Sequence, residues 1–74
     1  MNTIANSATF KPSDLGSLIA DFGDGMTAYA NATNDKVAIF ADFDDDEVFQ
    51  VSNWTAPGTS GMTLSAIANK LFNA

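Results

Sequence analysis

Five of the nine acidic residues fall in one stretch of six, Asp42-Phe43-Asp44-Asp45-Asp46-Glu47. Carboxylates at this density can coordinate a divalent cation, pair for acid–base catalysis, or present a negative surface to a cationic partner. The cation reading begins well and then fails. Asp42, Asp44 and Asp46 stand at the first, third and fifth ligand positions of an EF-hand loop. Glu47 stands where the sharp-turn glycine belongs, and Asn53 where the bidentate Glu belongs. No metal site is expected. Acid–base work by Asp42 with Glu47 would need a cleft and a raised pKa on one partner. A chain of 74 residues with an exposed acidic turn offers little cleft, so no enzyme activity is expected. The third use is an acidic knob for a basic protein surface, made of Asp42, Asp44, Asp45, Asp46 and Glu47. Set against it is the plainest reading, a charged turn that keeps a hairpin soluble and blocks edge association.

Other chemistry is excluded by residue type. The chain has no cysteine, histidine or arginine. Thiol nucleophiles, disulfides, Ser-His-Asp triads and arginine clamps are therefore impossible. Gly23-Asp24-Gly25 and Gly58-Thr59-Ser60-Gly61 lack the Gly-Lys-Ser/Thr ending of a phosphate loop and read as a helix exit and a turn. No cofactor is expected. Net charge is −6, and the three lysines, Lys11, Lys36 and Lys70, are scattered. Direct nucleic-acid binding and anionic membranes are disfavoured, because both need clustered cations. A basic protein partner would be steered in by the field. Met1 is followed by no basic segment, and the longest apolar run is Val37-Ala38-Ile39-Phe40-Ala41. That is far too short to cross a bilayer, and a cytoplasmic location is expected.

The elements that must carry the acidic stretch form one small domain, residues 1–74, with 1–11 as an arm or a short edge strand near 7–11. Leu15, Leu18, Ile19 and Phe22 recur at helical spacing, which predicts a helix over 13–22. Ser13 would cap it and Gly23 would end it. Residues 26–54 predict a three-stranded antiparallel meander: 26–33, 36–43 and 47–54, with turns at Asn34-Asp35 and 44–46. In that register Ala28, Ala30, Val37, Ile39, Phe43, Phe49 and Val51 share an apolar face. The other face carries Tyr29 opposite Phe40, and Phe40 opposite Gln50, an aromatic centre that reads as cross-strand pairing or as a docking patch. Trp54 reads as core. Leu64, Ile67, Ala68 and Leu71 predict a second helix over 64–72, capped by Thr63 and stapled by Met62 on Ile67. The expected fold is α+β, in the order α-β-β-β-α, with the helices covering the apolar face.

The functional expectation is a non-enzymatic protein–protein interaction module. Its most specific form is a small acidic inhibitor, of the phage or mobile-element type, that blocks a nucleic-acid-handling protein by mimicking nucleic-acid charge. The contact residues would be the five acids with Tyr29 and Phe40. The alternative is a structural subunit such as a virion decoration protein. Homo-oligomers are compatible with both, since so short a chain has a poor surface-to-volume ratio.

Overall fold

The apolar run Val37-Ala38-Ile39-Phe40 dictates the architecture. The computed structural model describes residues 9–44, 46–58 and 61–73. In it these four residues are no more than 2% exposed. Successive strand residues point to opposite faces, so a strand buried at four consecutive positions must be covered on both sides. The chain meets that demand with a five-stranded antiparallel sheet. The strands are β1 (Thr9–Phe10), β2 (Leu18–Gly23), β3 (Met26–Ala30), β4 (Val37–Asp44) and β5 (Glu47–Gln50), in the spatial order β1-β5-β4-β3-β2. A 3₁₀ turn at Pro12–Asp14 lies between β1 and β2, and one helix, α1 (Leu64–Phe72), follows the sheet.

Each face of β4 has its own small core. On one side Ala28, Val37 and Ile39 pack with Ile67 and Ala68 of α1, flanked by Ile19, Phe22, Met26 and Leu71. The alanines let the helix come close. On the other side Ala38, Phe40 and Val48 are covered by Phe10, Leu15, Tyr29 and Trp54. Phe40 is the centre of this second core. Phe10, Tyr29 and Trp54 meet its ring edge-on, with centroids 5.7, 5.7 and 5.5 Å away. Trp54 thus packs where a core residue was expected.

The order α-β-β-β-α is overturned. Among the described residues there is one α-helix, and the sheet has five strands rather than three. Residues 13–22 divide between the 3₁₀ turn, an extended crossing and β2. The four apolar residues of the expected helical stripe do not share one surface. Leu15 joins the Phe40 core, Ile19 and Phe22 join the α1 core, and Leu18 is 58% exposed. Two local features favour the strand. Asp24 and Gly25 have φ of 55° and 80° between the paired residues Gly23 and Met26. A two-residue turn with both central residues left-handed matches the twist of a hairpin. At Gly16 the N–H donates to the Ala30 carbonyl at 2.8 Å, and the Ser17 carbonyl accepts from Ala30 N–H at 2.9 Å. A β-carbon on Gly16 would collide with the Asn31 carbonyl oxygen and lie 2.7 Å from Asn34 Oδ1. Glycine is required there by close approach of two backbones.

The meander keeps the expected faces with a different register. Ala28 pairs with Ile39 and Ala30 with Val37, a shift of two residues, so the same side chains stay inside. Tyr29 consequently lies opposite Ala38, and Thr27 opposite Phe40. The shift arises because the connection is longer than Asn34-Asp35. Asn31 Oδ1 accepts from the N–H groups of Asp35 and Lys36 at 2.9 and 3.0 Å, and Asn34 adopts φ 61°. Between β4 and β5 the expected pairs Ala41–Phe49 and Phe40–Gln50 are present, but an irregularity near the tip sets Asp44 against Glu47. The third strand stops at Gln50, because Ser52 Oγ takes the N–H of Ile39 at 2.9 Å. Phe43 and Val51, expected on the buried face, are 62% and 51% exposed.

Helix α1 has the expected bounds. Thr63 Oγ1 accepts from Ala66 N–H at 3.1 Å, a cap that contributes about 1 kcal/mol. The N-terminal edge strand expected near 7–11 is present as β1, with Thr9 opposite Phe49; residues 7 and 8 lie outside the described residues.

Two outcomes follow. Gly16→Ala should destabilise the fold by about 2 kcal/mol or more, because Asn31 is backbone and cannot yield cheaply. Leu18→Ser, on an exposed side chain, should change stability by less than about 0.5 kcal/mol; urea melts that rank the two otherwise would refute the close approach. Hydrogen bonds from Asn31 and then Thr33 hold the Asp35 carboxyl below its ordinary value. A lowered folded pKa stabilises above the unfolded pKa, and the effect is lost as pH falls through the folded value. The melting temperatures of wild type and Asp35→Asn should therefore differ at neutral pH and converge only as pH falls from the ordinary carboxylate value through the lowered folded one. An equal gap at neutral and acid pH would contradict it.

Candidate functional site

The strand that builds the core also builds the acidic end. β4 runs from buried Val37–Phe40 to exposed Asp42 and Asp44, and β5 starts at Glu47. The pairs Asp42–Val48 and Asp44–Glu47 bring these residues together across the hairpin. Asp42 N–H donates to the Gly25 carbonyl at 2.9 Å, which ties the acidic end to the neighbouring β2–β3 turn. A β-carbon on Gly25 would stand 3.2 Å from Asp42 Oδ2, so that carboxylate lies directly over the glycine.

A groove of about 440 Å³ opens here. Its walls include Asp42, Asp44, Asp46 and Glu47. Tyr29, Val48 and Pro12 line it too, and among the described residues no lysine does. Tyr29 is half-buried and is braced by Phe40, with its ring nearly perpendicular at 83°. Pro12 is delivered by the 3₁₀ turn that carries the chain across the Phe40 face. The groove is thus the place where the cover over Phe40 ends and the charged tip begins.

Of the expected contact residues, the structure gathers Tyr29, Asp42, Asp44, Asp46 and Glu47 around this groove. Asp45 lies outside the described residues. Phe40, expected on an aromatic docking patch, is 0% exposed and supports Tyr29 from beneath. It is a core residue, because β1 and the 3₁₀ segment cover the face that a three-stranded sheet would have left open. Asp24 sits in the turn beside Asp42 and can extend the negative field, whereas Asp35 is in the loop at the opposite end of the sheet. Pro12 and Val48 line the groove but were not among the expected contact residues. Val48 carries a signal, since it alternates with Glu47 and Phe49 on a strand entering the tip. Pro12 carries none, because its place depends on the crossing of residues 11–17.

Asp42 and Asp44 lie on a strand, not in a helix-flanked loop. Among the described residues no three acids are placed to hold a metal ion. Comparison with protein families, curated proteins and solved structures finds no match to this chain. Among the described residues no helix is long and apolar enough to cross a membrane.

The separate duties of Phe40 and Tyr29 can be measured. Phe40→Ala should cost about 3–5 kcal/mol in a denaturant melt, as befits a core aromatic. Tyr29→Phe keeps the ring and should leave stability within about 1 kcal/mol of wild type. Equal, small losses would mean that Phe40 is not the centre of this core.

Proposed function

We propose that this chain is a non-enzymatic interaction module whose acidic groove engages a basic surface on another protein. The observation that carries the reading is the groove itself: four carboxylates at one hairpin end, beside an aromatic ring. A surface that gathers carboxylates is electrostatically complementary to a cationic partner. In its specific form the partner is a nucleic-acid-handling protein in the cytoplasm. The carboxylates then occupy a site that normally takes phosphates, and the chain acts as an inhibitor of the phage or mobile-element type. Scattered lysines and a charge of −6 support a protein partner over nucleic acid.

A second reading, an assembly subunit, draws on the sheet edge. β2 is an edge strand with Leu18 58% exposed, and an open edge is a template for pairing with another copy.

The test is competition against duplex DNA for basic DNA-binding proteins. The chain should displace DNA at low salt, and displacement should weaken as salt rises towards about 0.5 M. The combined variant Asp42→Asn, Asp44→Asn, Asp46→Asn, Glu47→Gln should lose at least about tenfold in affinity. Undiminished competition by that variant would overturn the charge-based reading. A salt-insensitive oligomer in sedimentation, with no competition, would favour the assembly subunit.

A further inference from the structure

We infer that the exposed aromatic pair Phe43–Phe49 is the apolar half of the docking surface, and that its occupant is a basic amphipathic segment of the partner protein. The inference rests on the acidic groove being a partner site, and it adds what lies on the reverse side of the same hairpin.

Helix α1 makes its main contacts with β4 and β2. Its flank over β2 is closed by Phe22 and Phe72, stacked at 4.1 Å and nearly parallel. Towards β5 the sheet is barer. Phe43 is 62% exposed, Val51 is 51% exposed, and Phe49 is half-buried. Phe43 and Phe49 meet edge to face with centroids 6.3 Å apart. The register agrees, since Phe49 pairs with Ala41 and Phe43 follows Ala41 by two residues.

A turn whose only duty is solubility has no use for this pair. The chain has few large side chains for its core, yet it leaves Phe43 in water between Asp42 and Asp44. Exposed aromatic residues are the composition of an interface hot spot, and this pair lies at the hairpin end that carries the acids, on the opposite face from the groove. The charge selects the occupant. An apolar side chain seated on Phe43 and Phe49 brings its neighbours within reach of the acidic tip, where lysine or arginine is favoured and acid is repelled. A second copy of this chain would bring another charge of −6 to the same surface. A cationic segment with an apolar stripe satisfies both halves.

The test uses two labelled synthetic peptides of equal positive charge, one an amphipathic lysine–leucine helix and the other oligolysine. Fluorescence anisotropy at about 0.5 M salt, where exposed charges are screened, should show the amphipathic peptide binding about tenfold more tightly. Phe43→Ser should erase that preference while the thermal midpoint stays within about 3 °C of wild type, because the side chain is exposed. Asp42→Asn with Asp44→Asn should weaken both peptides at low salt. If oligolysine binds as well as the amphipathic peptide, the aromatic pair is not a docking surface, although the acidic reading stands. If neither peptide binds at low salt, the acidic reading falls first. If wild type sediments as a dimer and Phe43→Ser as a monomer, the occupant is a second copy and the inference is overturned.

Discussion

Burial of β4 on both faces is the constraint on which the molecule depends. Val37, Ala38, Ile39 and Phe40 send alternate side chains to opposite sides, and all four are withdrawn from water. One layer can cover only one side of a sheet. The chain therefore uses its C-terminal helix for the Ile39 side and its N-terminal strand with the following crossing for the Phe40 side. That division explains why β1 pairs at one edge of the sheet while β2 pairs at the other. The connection must cross a face, and in crossing it delivers Phe10 and Leu15 to Phe40. Two thin cores replace one thick one, which suits a chain too short to build depth.

The same strand explains where the charge sits. Past Ala41 the pattern changes from apolar on both faces to acid alternating with aromatic, and the covering layers stop. Asp42 meets Gly25 of the neighbouring turn, so the hairpin end is braced by backbone contact rather than by apolar packing. The carboxylates lie at the solvent end of a sheet whose other end is buried.

Several features were legible from residue types and spacing. Helix α1 has a clean stripe, a Thr63 cap and a glycine-rich loop ahead of it, and each signal points to the same bounds. The faces of β3, β4 and β5 follow from period-two alternation, and they survived a two-residue register shift because an even shift preserves facing. The acids at the hairpin end lie within six residues of sequence, so all four of the groove's described carboxylates were visible as a cluster. The run Val37–Phe40 held one further message, that a continuous apolar strand is buried on both sides. Reading it as half-solvated left Phe40 on the surface and the second core without a cover.

Local sequence alone determined helix α1 and the charge of the tip, because each depends on residues within a few positions of one another; Gly23-Asp24-Gly25, read as a helix exit, is instead a hairpin turn between β2 and β3. Local sequence could not determine the state of residues 13–22. Leu15, Leu18, Ile19 and Phe22 fit a helical stripe as well as they fit their actual places. What decided between these lay elsewhere in the chain: an open β3 edge at Ala30, backbone contact at Gly16, and an uncovered Phe40. Such demands exist only once distant segments meet, and so the tertiary structure alone turned a plausible helix into an edge strand and a crossing.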